Sequence, residues 1–218
     1  MFQAQVFTLY PEVFPGPLSR GLYGKALSNK LWDLNVINIR DAATDKHKTV
    51  DDTPYGGGTG MLLKADVLAN ALDQNVKKGE RVFYLSPKGK KFDQKLAQDL
   101  SKEKSISLIC GHFEGVDERV LTTRNIEEIS IGDYVLSGGE TAALVVLDSI
   151  LRLLPGVLGN NKSSLDETFE NGLLEYPQYT KPQIWEEKSV PDVLNEFGCD
   201  GINISPPAVP GILVVILL

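Results

Sequence analysis

The sequence is poor in the residues from which disulfide frameworks and metal sites are built. Two cysteines, Cys110 and Cys199, and two histidines occur among 218 residues. So few thiols exclude a cross-linked secreted scaffold, and without a CxxC pair a cysteine-rich zinc site is excluded as well. A reducing cytoplasm is therefore the expected location.

Targeting and membrane-spanning signals are also missing. The N-terminus has no basic region followed by a long apolar core, so no signal peptide is predicted. The apolar run at residues 212–218 is too short to cross a bilayer. With 42% hydrophobic and 23% charged residues, the composition is that of a globular protein without a membrane partner.

The formal net charge of −7 argues weakly against a general nucleic-acid coat protein but does not exclude an RNA enzyme. Affinity for RNA depends on local positive patches rather than on the total charge. Two such patches are Lys46-His47-Lys48 and the group Lys88, Lys90 and Lys91. Each patch, taken alone, is equally compatible with ordinary solvated charge.

Several motifs that mark common enzyme chemistries are absent. The sequence has no Walker A loop, no GxSxG nucleophile elbow and no HExxH zinc motif. Residues 54–60 are rich in glycine, but they follow a polar loop and do not have the spacing of a dinucleotide-binding fingerprint. Phosphate, hydride and acyl transfer and zinc hydrolysis are therefore not indicated.

Apolar runs typical of buried strands alternate with segments of helical periodicity, which predicts an α/β domain. Its sheet should be mostly parallel, with helices on both faces. The predicted strands cover residues 6–9, 34–39, 81–85, 106–109 and 129–131. The predicted helices cover residues 18–31, 65–76, 92–100, a short stretch from 117, and 140–154, where Pro155-Gly156 follows.

Three loops should gather at one edge of this sheet. In parallel sheets, ligands bind beyond the carboxyl ends of the strands. That rule selects residues 86–90, 111–115 and 132–140, all rich in glycine or in turn-forming residues. Backbone groups could approach a ligand closely there.

Four segments carry a resemblance to a known family, in this order and spacing: 51–61 (DDTPYGGGTGM), 84–89 (YLSPKG), 110–119 (CGHFEGVDER) and 131–140 (IGDYVLSGGE). Together they resemble the bacterial tRNA (guanine-N1)-methyltransferases of the SPOUT class, from the first strand to about Leu194. The resemblance implies methyl transfer from S-adenosylmethionine, with S-adenosylhomocysteine as product. The acceptor would be N1 of the guanosine immediately 3′ of the anticodon, position 37 of tRNA.

The resemblance also implies a fold and partners that periodicity cannot reveal. In this family the three loops are parts of a deep trefoil knot on the C-terminal side of the domain, a rare exception to ordinary chain connections. Such proteins are homodimers that bind tRNA. The apolar helix ending near Leu154 suits either a dimer face or simple core packing.

The residues that would surround the methyl donor follow from the same resemblance. Turn geometry without ligand contact is the alternative explanation for the glycines among them. The donor-binding residues are expected to be Tyr84, Leu85, Ser86, Pro87, Gly111, Glu114, Gly115, Ile131, Gly132, Asp133, Tyr134, Val135, Leu136, Gly138 and Gly139.

Catalytic residues are assigned by alignment with the family. Glu167 takes the place where many relatives have an aspartate and is the expected base for guanine N1, with Asp166 as a competitor. Arg152 matches an arginine expected at O6 of the guanine, although a cation there also suits a helix C-terminus. A carboxylate near N1 and a cation near O6 would act together.

The tRNA-binding residues are expected in the Gly-rich segment, at Asp51, Tyr55 and Gly60. No resident metal ion is predicted, and the sequence leaves open whether a divalent ion assists turnover.

Three regions are predicted along the chain. Residues 1–157 would form the knotted catalytic domain, 158–175 a mobile linker carrying the base, and 176–218 a residual C-terminal segment. Relatives continue beyond the position of Leu194 into a helical domain that grips the anticodon arm, and residues 195–218 do not resemble it. We expect a truncated, frameshifted or atypical tail that weakens tRNA binding or turnover.

Two other functions remain open at this point. One is a SPOUT methyltransferase with a different RNA target, such as a ribose hydroxyl or a ribosomal base. The other is a catalytically impaired protein that binds RNA or a protein partner and keeps the donor pocket. Mapping the methylated nucleoside distinguishes the first alternative from methylation of guanosine 37. An assay of methyl transfer to tRNA distinguishes the second alternative from an active enzyme.

Overall fold

A five-stranded sheet forms the centre of the computed structural model, which describes residues 1–158 and 177–192. Its strands are β1 (Phe2–Thr8), β2 (Trp32–Asn38), β5 (Arg81–Lys91), β6 (Ser105–Cys110) and β7 (Glu127–Ser130). Two short strands, β3 (Asp51–Asp52) and β4 (Leu62–Leu63), pair antiparallel outside it. The sheet order is β2-β1-β6-β5-β7, and every pairing in it is parallel. The predicted α/β class with a mostly parallel sheet is confirmed.

Five α-helices connect the strands over residues 1–158: α1 (Gly21–Ser28), α2 (Ala65–Asn75), α3 (Gln94–Leu100), α4 (Glu118–Thr123) and α5 (Glu140–Leu151). All five were predicted, with differences at their ends. The first is shorter than predicted because Arg20 is extended (φ −115°, ψ 167°), which separates α1 from the preceding 3-10 turn at Gly16–Ser19, and because Lys30 has a positive φ of 57° after the helix end. Side chains of Asp93 and Asp117 cap α3 and α4 by accepting backbone N–H bonds.

The helices cover both faces of the sheet, as predicted. Alternate residues of β1 point to opposite faces, so Val6 lies in one apolar core and Phe7 in the other. The first core contains the buried residues of α5, of which Leu147 is fully buried, together with the fully buried Trp32. The second core contains the buried residues of α2 and α4.

Strand β5 runs further than the sequence predicts. The sequence pattern predicts its end at Leu85, where Ser86-Pro87-Lys88-Gly89 follows. In the structure both Leu85 and Lys90 pair with Ile129 of β7, and residues 86–89 form a bulge between them. Gly89 lies so close to the backbone of Ile129 that a Cβ there would overlap it. The predicted end of this strand is therefore wrong, and the chain rejoins the sheet after Pro87.

The chain divides into two compact units, Met1–Leu165 and Asp166–Leu218. Within the described part of the second unit, β8 (Ile184–Trp185) and β9 (Lys188–Ser189) form a hairpin, with Glu186 and Glu187 both at positive φ in its turn. Residues 159–176 and 193–218 lie outside the described part of the chain. The predicted linker and atypical tail lie largely there, so the three-region division stays a prediction. Over residues 1–158 and 177–192 no helix is long and apolar enough to cross a membrane.

Candidate active site

A cavity of ≈ 300 Å³ opens at the carboxyl ends of β5, β6 and β7. It is lined by the three loops selected from the sequence, since adjacent parallel strands deliver their carboxyl ends to one edge of the sheet. Within residues 86–90 the bulge of β5 supplies Ser86, Pro87 and Lys88. We call this space the donor cavity, after the methyl donor that the sequence resemblance predicts there.

The donor cavity brings together nearly all the residues expected around the methyl donor. Asp133 is the exception, because it does not line the cavity although its neighbours do. The predicted residues that do line it are Tyr84, Leu85, Ser86, Pro87, Gly111, Glu114, Gly115, Ile131, Gly132, Tyr134, Val135, Leu136, Gly138 and Gly139. Lining residues that were not among those expected around the donor include Lys88, His112, Phe113, Glu118 and Glu128.

Two glycines of the cavity wall allow its loops to pack directly on one another. A Cβ on Gly111 would stand 2.6 Å from Cε2 of Tyr84, and one on Gly139 would stand 2.6 Å from Cα of Cys110. Real carbon atoms do not approach so closely, so neither site accepts a side chain without displacement. By contrast, Gly115 and Gly132 have φ values of 125° and 156°, which other residues rarely adopt. Close packing between loops therefore requires Gly111 and Gly139, and backbone geometry favours glycine at Gly115 and Gly132.

The polar side chains of the cavity give it an excess of negative charge. Glu114, Glu118 and Glu128 face it together with one lysine, Lys88. Burial, and secondarily the charge of Glu128, raise the pKa of Tyr84 to about 12. The phenol therefore stays protonated at neutral pH and can donate a hydrogen bond.

Behind the wall lies a buried polar network that sequence reasoning did not single out. Glu140, the first residue of α5, is 7% exposed. Its Oε1 accepts a hydrogen bond of 2.5 Å from the Thr8 hydroxyl, and Nε2 of His112 lies 2.9 and 2.8 Å from Oε1 and Oε2. The backbone N–H of Tyr10 donates in turn to the Thr8 hydroxyl at 2.9 Å. The sequence gives only a weak sign of this network: a histidine and an acidic residue lie in two of the three loops selected as ligand-binding.

The Gly-rich segment between β3 and β4 is fastened to the loop after β6. The N–H of Leu63 donates to the carbonyl of Gly115, and the N–H of Glu114 donates to the carbonyl of Met61, both at 2.9 Å. Gly60, at φ 97°, leaves room for the Glu114 side chain, whose Cγ would stand 2.5 Å from a Cβ there. Two sites expected to bind different molecules therefore share a wall.

A second cavity of ≈ 500 Å³ lies beside the Gly-rich segment. Tyr55, which is fully exposed, lines it together with Lys64 and with Arg119, whose guanidinium is paired with Asp117 at 2.7 Å. Asp51 and Gly60 do not line this cavity: Asp51 lies in β3, and Gly60 lies against Glu114. The three residues expected to bind tRNA are thus spread along one segment.

Comparison with known proteins decides the family. The family described as tRNA (Guanine-1)-methyltransferase TrmD matches residues 2–202. The chain belongs to the TrmD family. A tRNA (guanine-N(1)-)-methyltransferase of Pelagibacter ubique is 80% identical over 194 residues, covering 89% of this chain and 85% of that protein. Proteins of the same name from Bartonella tribocorum and Brucella canis are 58% and 56% identical over 193 residues, covering 88% of this chain and 83% and 79% of theirs.

Membership of the TrmD family confirms the resemblance drawn from the four motifs. It also confirms the predicted enzyme class, a tRNA (guanine-N1)-methyltransferase. The individual site residues are not tested by these matches and stay predictions.

Of the two residues expected to be catalytic in the TrmD family, the structure describes only Arg152. Arg152 directly follows α5, and its N–H donates to the carbonyl of Asp148 at 3.3 Å. This position favours a cation whatever its other role, because helix carbonyls converge there. Glu167 and its competitor Asp166 lie outside the described residues.

Over residues 1–158 and 177–192, no group of three or more His, Cys, Asp and Glu side chains could hold an ion. Whether a divalent ion assists turnover stays open.

Proposed function

We propose that this tRNA (guanine-N1)-methyltransferase takes its methyl group from S-adenosylmethionine held in the donor cavity. The acceptor is N1 of the guanosine immediately 3′ of the anticodon, and S-adenosylhomocysteine is the second product. The observation that carries the proposal is the convergence of 14 of the 15 expected donor-binding residues on one cavity at the carboxyl edge of the sheet.

The charge of the donor cavity fits S-adenosylmethionine. The donor carries a sulfonium, an ammonium and a carboxylate, so its net charge is positive, and three carboxylates face the space with one lysine. Opposite charges attract more strongly in a partly enclosed site than in bulk water. The carboxylates thus favour the sulfonium donor over a neutral one.

The apolar lining of the cavity fits the adenine ring. Tyr134, Val135 and Leu136 are 54%, 85% and 40% exposed, which leaves a run of three apolar side chains in contact with solvent. Such surfaces mark binding sites in soluble proteins. When bound, the donor supplies an activated methyl group. The chain's own part is then to hold the donor, align the acceptor and remove the N1 proton.

Removal of the N1 proton is assigned to a residue that follows the described residues 1–158. Guanine N1 carries a hydrogen and is a poor nucleophile until that hydrogen leaves. We assign Glu167 as the base, and Arg152 as the cation that stabilises the negative charge developing at O6. Glu167 is one methylene longer than the aspartate of many relatives, so Asp166 is its natural competitor.

The tRNA is proposed to meet the Gly-rich segment. Tyr55 is a fully exposed aromatic ring, a suitable surface for stacking an unpaired base. Lys46, Lys90 and Lys91 are exposed and can neutralise phosphates. Asp51 and Gly60 complete the proposed contact surface, with Gly60 holding the segment close to the donor loop.

Finer features of the family are proposed on the same basis. A trefoil knot of the three loops is consistent with the close backbone contacts of Gly89 on Ile129 and of Gly139 on Cys110. A homodimer is consistent with exposed apolar side chains, among them Leu22 and Val145, that a second copy would cover. We place the enzyme in the cytoplasm with its tRNA.

The experiment combines the protein with labelled S-adenosylmethionine and an unmodified tRNA carrying guanosine at position 37, and then identifies the methylated nucleoside. We expect 1-methylguanosine at that position, and its loss in the Glu167→Gln variant. Asp166→Asn is the matched control and should retain activity. A 2′-O-methylated product, or methylation at another position, would show a different RNA target. Donor binding without any product would show a protein that has lost catalysis.

A further inference from the structure

We infer that His112 and Glu140 are positioning residues, whose hydrogen bonds hold two loops of the donor cavity in the shape that binds the methyl donor. The inference rests on the proposed function, because it takes the donor cavity as the binding site for S-adenosylmethionine. Neither residue was assigned a role from the sequence.

The pair connects segments that are distant along the chain. His112 belongs to the loop after β6, Glu140 begins α5, and Thr8 ends β1. The side chains of His112 and Glu140 are 14% and 9% exposed, so water does not substitute readily for either partner. His112 lines the donor cavity and Glu140 does not, which places the carboxylate behind the wall that it supports.

Hydrogen-bond chemistry fixes which atom of the imidazole carries the proton. The carboxylate of Glu140 can only accept, and the Thr8 hydroxyl already donates to its Oε1. Nε2 of His112 faces both carboxylate oxygens and must therefore be the donor. Removing that donor would leave a buried carboxylate short of a partner, which is more costly than losing an exposed hydrogen bond.

The neighbouring glycines show why this pair controls loop shape. A Cβ on Gly138 would overlap the imidazole of His112 and would stand 2.6 Å from Oε2 of Glu140. The N–H of Gly139 donates to the carbonyl of Gly111 at 3.0 Å, one residue before the imidazole. Both loops thus close directly over the pair. If the Glu140 carboxylate rotates to reach another hydrogen-bond partner, Gly138 and Gly139 must shift with it. Both glycines line the donor cavity, so its shape changes.

The test compares two substitutions that differ in where they place an amide nitrogen. In His112→Gln the side-chain nitrogen can occupy the position of Nε2 and keep a donor toward Glu140. In His112→Asn the side-chain nitrogen lies near the position of Nδ1 and cannot reach the Glu140 carboxylate. Glu127→Gln is the control, because that carboxylate pairs with Arg81 at the start of β7, away from the carboxyl edge.

The measurement is the Kd of each full-length variant for S-adenosylmethionine by calorimetry, with the Kd for tRNA measured separately. We expect His112→Asn to raise the donor Kd by about tenfold or more, the scale of a lost hydrogen bond to a buried charge. His112→Gln should stay within about threefold of the wild type, and Glu127→Gln should be unchanged. In His112→Asn the Kd for tRNA should rise by a smaller factor than the donor Kd, whereas a general loss of folding would weaken both alike.

Two results would overturn the inference in different ways. If the wild type binds the donor and the Gln and Asn variants bind it equally well, the pair does not position the loops, and the proposed function survives. If the wild type itself does not bind S-adenosylmethionine, the donor site is wrong and the inference falls with it.

Discussion

The backbone N–H of Gly139 donates a hydrogen bond of 3.0 Å to the carbonyl oxygen of Gly111. This bond joins the loop that precedes α5 to the loop that follows β6, in the wall of the donor cavity. It forms only because neither residue has a side chain, since Cβ atoms would overlap Cys110 on one side and Tyr84 on the other. Contact between the loops, and not turn geometry alone, therefore requires these two glycines.

Gly139→Ala should damage the donor cavity by steric overlap. Gly139 has a φ of −78°, which alanine adopts freely, so backbone strain does not contribute. The new Cβ would lie 2.6 Å from Cα of Cys110, and relief of that overlap must part the loops. We expect a loss of about 1–3 kcal/mol in the free energy of unfolding. The Kd for S-adenosylmethionine should rise at least tenfold, a change of about 1.4 kcal/mol in binding free energy.

Urea unfolding and calorimetric titration measure the two effects. Gly79→Ala is the comparison, because Gly79 has a φ of 83° but no atom within 4 Å of the place that a Cβ would take. That variant should lose some stability through backbone strain and keep its donor affinity. Equal donor affinity in Gly139→Ala and the wild type would contradict the steric argument.

Tyr84 should titrate at unusually high pH. Burial and the nearby charge of Glu128 raise the pKa of its phenol from 10.0 to about 12. The folded protein therefore holds this proton more tightly than the unfolded chain, so the associated stability is complete below pH 10 and is lost as the pH rises toward 12. Urea unfolding between pH 9 and about 11.5 should show a steeper loss in the wild type than in Tyr84→Phe. Parallel pH profiles for the two proteins would contradict the shifted pKa.

The sequence predicts the sheet and its loops well, because strands buried on both faces are apolar runs and the glycines mark where they end. It does not predict that β5 continues past Pro87, since the bulge depends on pairing with Ile129, which lies far along the chain. Nor does it predict the network at Glu140. An acid at the start of an apolar helix suits the helix dipole, and nothing local indicates that His112 and Thr8 will meet it.

Cys110 should resist modification while the protein is folded. Burial, and secondarily the negative charge of Glu140, raise the pKa of its thiol well above the ordinary value. The thiolate is the reactive form, and the side chain is fully buried in the core, so both protonation and access oppose reaction. In a Cys199→Ser background, a thiol reagent at about pH 8 should label Cys110 only after denaturant is added, on the scale of unfolding rather than of mixing.

That labelling experiment has a direct control and a clear contrary result. The double variant Cys110→Ser, Cys199→Ser should give no signal in either condition. Rapid labelling of Cys110 in the folded protein would mean that the end of β6 opens to solvent.

Gly60→Ala should separate tRNA affinity from donor affinity. A Cβ at this position would lie 2.5 Å from Cγ of Glu114, so the substitution must push the Gly-rich segment away from the donor loop. Gly57→Ala is a close match, since Gly57 has a similar φ of 79° and nothing within 4 Å of the added atom. Both variants carry backbone strain of about 1–2 kcal/mol, and only Gly60→Ala adds the overlap.

We expect a KM for tRNA raised at least fivefold more in Gly60→Ala than in Gly57→Ala, the low end of typical coupling between sites. The donor Kd should change less than the KM for tRNA, because the Gly-rich segment is displaced while the donor loop keeps its place. Equal tRNA kinetics in the two variants would show that the contact with Glu114 does not set the position of the segment.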